Sequence, residues 1–177
     1  MTAKRIALLA VGIALFVVLS LCLQFPVFEN YYLCLGYAVM AVYGCSFGAL
    51  SGTVVGFFGV ILYCVVISGL RGMPGWALGN IVIGLALGLA WRYTRPMRPA
   101  WLAVAIRAVV IVAATALGIL FVKSLTESLL YLQPLAVRAA KNTSAFIADA
   151  AVLVLCEPLC RVMDKSARRL FPELCTK

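Results

Sequence analysis

The chain has 177 residues, of which 65% are hydrophobic and 12% charged, and carries a net charge of +9. Soluble domains are about 25% charged, so a soluble globular domain is excluded and a single integral membrane domain over 1–177 is expected. The basic excess then suits cytoplasmic loops and anionic headgroups of the lipid bilayer, with no nucleic acid as partner.

A membrane-spanning helix needs roughly 20 apolar residues, and the hydropathy pattern predicts an all-α membrane protein with six transmembrane helices. Lys4 and Arg5 precede the first, over 6–23. That run is longer than a typical signal-peptide core and no A-x-A site follows, so a retained helix is expected. Leu19-Ser-Leu-Cys22 resembles a lipidation site, but Leu21 is bulky where a small residue is wanted. Ala3, Ala7, Ala10 and Ala14 put small side chains on one face, the last two as an AxxxA pair. In lipid such a face admits another helix closely, within the bundle or from a partner.

A loop over 24–30, marked by Pro26, Glu29 and Asn30, leads to a second helix at 31–47 that opens on the interfacial aromatics Tyr31 and Tyr32. A short uncharged turn near Gly48–Gly52 precedes the third helix, 53–70. Gly44, Gly48, Gly52 and Gly56 imply close packing between these two helices. Arg71-Gly-Met-Pro-Gly75 reads as a tight loop. The fourth helix, 76–91, carries Trp76, Asn80, Gly84 and Gly88. Three arginines and two prolines over 92–99 separate it from the fifth helix, 101–122, which contains Arg107. The longest connection, 123–142, precedes the sixth helix, 143–163, with Asp149 and Glu157 inside it and a basic tail beyond.

With six spans, ten of the fifteen Lys and Arg residues fall beside the two termini and in 92–99. The bias predicts both termini in the cytoplasm of a cell whose plasma membrane the chain crosses, a bacterial one by the resemblance described below. Arg107 and Glu157 reach the same depth, and an unpaired intramembrane charge costs a few kcal/mol, so they are expected to pair. Asp149 lies roughly six residues inside the outer surface at 1.5 Å per residue; it either lines a cavity open to the outside or pairs with Lys123 or Lys141. The outward loops gather Asn30 and Tyr31 with Arg71, Met73, Trp76 and Asn80. Aromatic planes with a few fixed polar groups suit a flat or large organic ligand, and equally an aromatic belt.

There is no histidine, and six of the seven cysteines lie in apolar runs, as packing residues do. Cys156 and Cys160 share a helix face, but two thiols alone make a poor metal site. No nucleophile elbow, carboxylate pair at one depth or phosphate-binding loop occurs. The chain is expected to be no enzyme, to hold no metal or cofactor, and to hydrolyse no ATP itself.

Several segments, in order and spacing, resemble the substrate-binding S components of energy-coupling factor (ECF) vitamin transporters, riboflavin-type branch. They are Arg5-Ile-Ala-Leu-Leu-Ala10-Val-Gly-Ile-Ala14, Tyr37-Ala-Val-Met, Phe47-Gly-Ala-Leu-Ser-Gly52, Gly56-Phe-Phe-Gly59, Met73-Pro-Gly-Trp76 and Gly79-Asn-Ile-Val-Ile-Gly84. The resemblance implies capture of a small-molecule vitamin from outside, docking through Ala10 and Ala14 onto a transmembrane T subunit with two ATPases, and toppling to release substrate inward. It implies a substrate site in the first and third outer loops and the outer parts of the later helices: Asn30, Tyr31, Arg71, Met73, Trp76, Asn80 and Asp149. Riboflavin and cobalamin both fit. The competing expectation is a non-transport membrane scaffold, such as a rod-shape-determining protein.

Overall fold

Inside a bilayer the backbone must satisfy its own hydrogen bonds, and long apolar runs accordingly form helices here. The computed structural model describes residues 3–22, 24–28, 31–67 and 73–175, with backbone alone for 24–28 and 31–33. The helices are α1 (Ala3–Cys22), α2 (Gly36–Phe47), α3 (Ala49–Ile67), α4 (Met73–Thr94), α5 (Ala100–Thr115), α6 (Ser124–Tyr131), α7 (Leu135–Leu155) and α8 (Glu157–Leu170). A π-helical segment, Ala116–Lys123, joins α5 to α6 without a break. Four stretches are long and apolar enough to cross a membrane: Ala3–Cys22, Ala49–Ile67, Met73–Thr94 and Ala100–Tyr131.

The helical expectation holds for the bundle, with boundary corrections. Tyr31–Cys34 is not the start of a helix but strand β2, paired antiparallel with β1 (Gln24–Phe28). α2 is therefore only 12 residues long, and β2 continues its path, packed against α7. The α2–α3 turn is shorter than expected. It consists of Gly48, whose φ of 96° suits glycine, so α3 starts at Ala49. Beyond it, the predicted close contact appears: a Cβ on Gly52 would lie 2.7 Å from the Gly44 Cα.

The largest correction concerns 123–142, which is helical except at 132–134, where Leu132 turns the chain with a φ of 54°. The Ala100–Tyr131 stretch has 32 residues, roughly 48 Å at 1.5 Å per residue, against a hydrocarbon core of about 30 Å. The stretch is thus longer than such a core is thick, and the charges of 123–142 sit on helices rather than on a loop. Inside the α6–α7 hairpin, Asn142 Nδ2 donates to Ser124 Oγ (3.0 Å) and Glu127 Oε2 (3.1 Å). The Arg138 guanidinium stacks over Tyr131, 4.5 Å from its centroid.

The predicted sixth helix is interrupted. α7 ends at Leu155, and Pro158 sits in the first turn of α8, where its missing N–H costs nothing. Glu157 thus lies at a helix start rather than in mid-span, yet the expected ion pair forms: Arg107 Nη1 to Glu157 Oε1 at 2.7 Å. Arg161 Nε reaches the same oxygen at 2.8 Å, and Arg107 stacks on Trp91 at 4.0 Å. About two helical turns beyond Glu157, Asp164 accepts from Arg95 (2.9 Å) and Arg168 (3.1 Å). These links fasten α8 across the end of the bundle. The core between the helices is filled by Phe16, Tyr37, Met40, Val55, Ile83, Ile119 and Leu153.

Candidate functional site

A phenol, an indole N–H or an amide inside an apolar bundle must find a partner there. Tyr37, in the first turn of α2, is completely buried. Its hydroxyl accepts from Trp76 Nε1 at 2.7 Å and donates to Asn80 Oδ1 at 2.9 Å. Trp76 and Asn80 lie one turn apart on α4, so they face α2 together. Asn80 Nδ2 passes the chain on to the Gly56 carbonyl of α3 at 3.1 Å. Asp149, buried on α7, faces the same Tyr37 hydroxyl. Four helices thus meet at one phenol.

The Tyr37 hydroxyl gives its one proton to Asn80 Oδ1, while the buried Asp149 carboxylate beside it brings two further acceptor oxygens. The cluster is therefore rich in acceptors, and a ligand bringing N–H or O–H donors would complete it. Lys123 is the last residue of the π segment. Its ammonium also lies 5.9 Å from the Trp76 ring centroid. Tyr63 of α3 meets Trp76 edge-to-face at 5.6 Å, which fixes the indole plane.

Of the residues singled out from the sequence, Trp76, Asn80 and Asp149 come together. Met73 is the first residue of α4 and packs half-buried against the core. Tyr31 lies in β2, described by its backbone alone, and Asn30 and Arg71 lie outside the described residues. Asp149 is the fifteenth residue of α7, which begins at Leu135. Among the described residues it makes no ion pair with Lys123 or Lys141, its two expected cationic partners. Sequence reasoning missed Tyr37 as a site residue. The available signal was a phenol inside an apolar helix, away from the membrane interfaces where tyrosine is ordinarily solvated. Among the described residues no cluster of His, Cys, Asp and Glu could hold a metal ion.

On α1, Ala7, Ala10 and Ala14 lie on the exposed face, while Leu9, Gly12 and Phe16 face the bundle. The small-residue stripe is thus not used for packing inside the chain.

Comparison with known proteins agrees with this architecture. UPF0397 proteins of Streptococcus thermophilus and of Lactococcus lactis subsp. cremoris are similar to part of the chain. The first is 30% identical over 86 residues, 49% of this chain and 47% of that protein. The second is 35% identical over 88 residues, 48% of this chain and 47% of that protein. The chain thus spans about half the length of the curated relatives it matches. The description "ECF-type riboflavin transporter, S component" matches residues 1–165. With that match over nearly the whole chain, this multi-pass membrane protein belongs to the ECF-type riboflavin transporter S component family, a family of transport subunits rather than enzymes.

Proposed function

We propose that the chain is the vitamin-capturing subunit of an ECF importer, a single integral membrane domain over 1–177 that binds its substrate at the Tyr37–Trp76–Asn80–Asp149 cluster. The observation that carries the reading is the hydrogen-bonded chain from Trp76 through Tyr37 to Asn80, beside the buried carboxylate of Asp149. An apolar bundle that needed only to pack would bury no such set of polar groups, each of which costs energy to desolvate. Family membership supports transport over the scaffold reading.

In this reading six segments cross the membrane: α1, α2 with β2, α3, α4, the α5–α6 rod, and α7. Basic α8 lies on the cytoplasmic side and the α6–α7 hairpin outside. Asn30, Tyr31, Arg71 and Met73, singled out from the sequence, are its further proposed substrate contacts. The ligand is a flat or large vitamin with N–H donors for the acceptor-rich cluster and a ring system for Trp76; the imide of riboflavin and the side-chain amides of cobalamin both supply such donors. Ala10 and Ala14 form the docking pair for a T subunit that carries two ATPases, supported by their exposure on α1.

A thermal-melt screen of the purified protein against a panel of vitamins tests the reading. One vitamin is expected to stabilise it: at 100 times Kd the gain is about 2.7 kcal/mol. No shift with any vitamin, together with no co-purifying T subunit or ATPase, would overturn it.

A further inference from the structure

Two charges of opposite sign border the candidate site without meeting. Asp149 is buried on α7 and faces the Tyr37 hydroxyl. The ammonium of Lys123, half-buried at the end of the π segment, lies 5.9 Å from the Trp76 ring centroid. Trp76 and Tyr37 are themselves joined at 2.7 Å. The two charges thus bracket one hydrogen-bonded aromatic pair, yet neither makes an ion pair among the described residues.

Elsewhere in the chain opposite charges do close up: Arg107 meets Glu157 at 2.7 Å, and Arg95 meets Asp164 at 2.9 Å. Contact is the expected outcome where water is scarce, because separated charges keep the cost of desolvation without the attraction that offsets it. The backbone at Lys123 is held in place. A Cβ on Gly75 would lie 2.9 Å from the Lys123 carbonyl oxygen, and one on Gly79 would lie 2.6 Å from that of Gly118. The π segment therefore rests backbone to backbone on α4 at two levels one turn apart, and Trp76 follows Gly75 directly. With Lys123 seated there, its ammonium stands on the indole side of the aromatic pair and the Asp149 carboxylate on the phenol side.

An ammonium only donates hydrogen bonds and a carboxylate only accepts them. The Tyr37 proton goes to Asn80 Oδ1 at 2.9 Å and the Trp76 N–H to Tyr37, so the aromatic pair offers Asp149 no proton. A molecule that satisfies both charges brings an acceptor for Lys123 beside an N–H for Asp149. An amide, lactam or imide edge carries those two groups side by side, with no net charge to desolvate. A carboxylate would set like charge against Asp149, and an amine would do the same against Lys123.

We infer that Lys123 is a further specificity-determining residue and that, with Asp149, it selects a ligand with a neutral amide, lactam or imide edge. The carbonyl of that edge accepts from the Lys123 ammonium, and its N–H donates to the Asp149 carboxylate. The inference rests on the vitamin-binding reading of this cluster and narrows its ligand class.

The test uses the full chain in detergent and titration calorimetry with three probes: riboflavin, which has an imide; its derivative methylated on the imide nitrogen; and cyanocobalamin, which has side-chain amides. Riboflavin or cyanocobalamin is expected to bind. Lys123→Met keeps an apolar stem on Trp76 and should weaken that binding about 10- to 100-fold, the range of a hydrogen bond to a charged group. Its Tm without ligand should match that of the unaltered chain, since no ion pair is lost. Where riboflavin binds, its methylated derivative should bind at least about tenfold more weakly, as expected when a buried acceptor loses its donor. That difference should persist in Lys123→Met and shrink in Asp149→Ala. Unchanged affinity in Lys123→Met overturns the inference and leaves the vitamin reading standing. So does equal affinity for riboflavin and its methylated derivative, or a vitamin screen that retains only a compound with neither amide nor imide, such as pyridoxine. No vitamin bound at all removes the reading, and this inference with it.

Discussion

At Tyr37, the phenol gives its one proton to Asn80 Oδ1 at 2.9 Å. The Trp76 indole holds the hydroxyl from the other side at 2.7 Å. Interhelical hydrogen bonds in membranes contribute about 0.6 kcal/mol on average and up to about 2. Removing one should therefore loosen the bundle little, while a bound ligand would feel the loss of an acceptor strongly. Asn80→Ala is expected to lower vitamin affinity about 10- to 100-fold by titration calorimetry. Trp76→Phe keeps the ring against Tyr63 and loses only the N–H donor, so a smaller loss, about 3- to 10-fold, is expected. Unchanged affinity in both variants would remove the site from this cluster. Trp76, Asn80 and Asp149 were legible in the sequence because polar groups in apolar runs are costly enough to need a reason. Tyr37 was not, because a phenol is amphipathic and its ring passes for ordinary packing in an apolar helix.

Among the helices, the break between α7 and α8 has an energetic consequence. Arg107 is buried, and Glu157 is its carboxylate at 2.7 Å. Glu157→Ala leaves an unpaired guanidinium within an apolar helix, at a cost of about 2.5–3.5 kcal/mol on insertion scales. A marked drop in Tm is expected, and Arg107→Leu combined with Glu157→Leu should recover most of it. A double variant no more stable than Glu157→Ala would show that the pair is not what holds α8. On α1, Ala10→Trp or Ala14→Trp places a large ring on an exposed face, so vitamin binding should survive while uptake by cells is lost. Uptake persisting in both variants would dissociate the alanine face from docking. Apolar periodicity located each helix in the sequence, but ends were misread wherever charge and helix coincide. Residues 123–142 carry Lys123, Glu127, Arg138 and Lys141, which read as a loop while charge is equated with irregular backbone. Beyond the apolar slab a helix can carry such charges freely. The β-hairpin was hidden for a related reason: Tyr31 and Tyr32 suit a strand and a membrane-interface helix equally well.

For the whole molecule, the longest continuous rod, Ala100–Tyr131, decides which end reaches water on each side. Leu132, at the tip of the α6–α7 hairpin, is 91% exposed. With native cysteines replaced, Leu132→Cys should react with a membrane-impermeant maleimide on intact cells, and Lys165→Cys on α8 only after permeabilisation. The reverse pattern would invert the orientation. The same rod also has to satisfy two partners at once, Arg107 facing Glu157 and Glu127 facing Asn142. The π segment between them closes hydrogen-bonded rings around one extra residue per turn, which resets the angular phase of everything beyond it. Were the same residues, 116–123, wound as a regular α-helix, α6 would rotate by about 100° for each extra residue that the π segment absorbs. Glu127 would leave Asn142, and Lys123 would leave the face of Trp76. The π segment acts as a phase shifter: it lets one uninterrupted helix answer to an ion pair at one end and to the candidate binding cluster at the other.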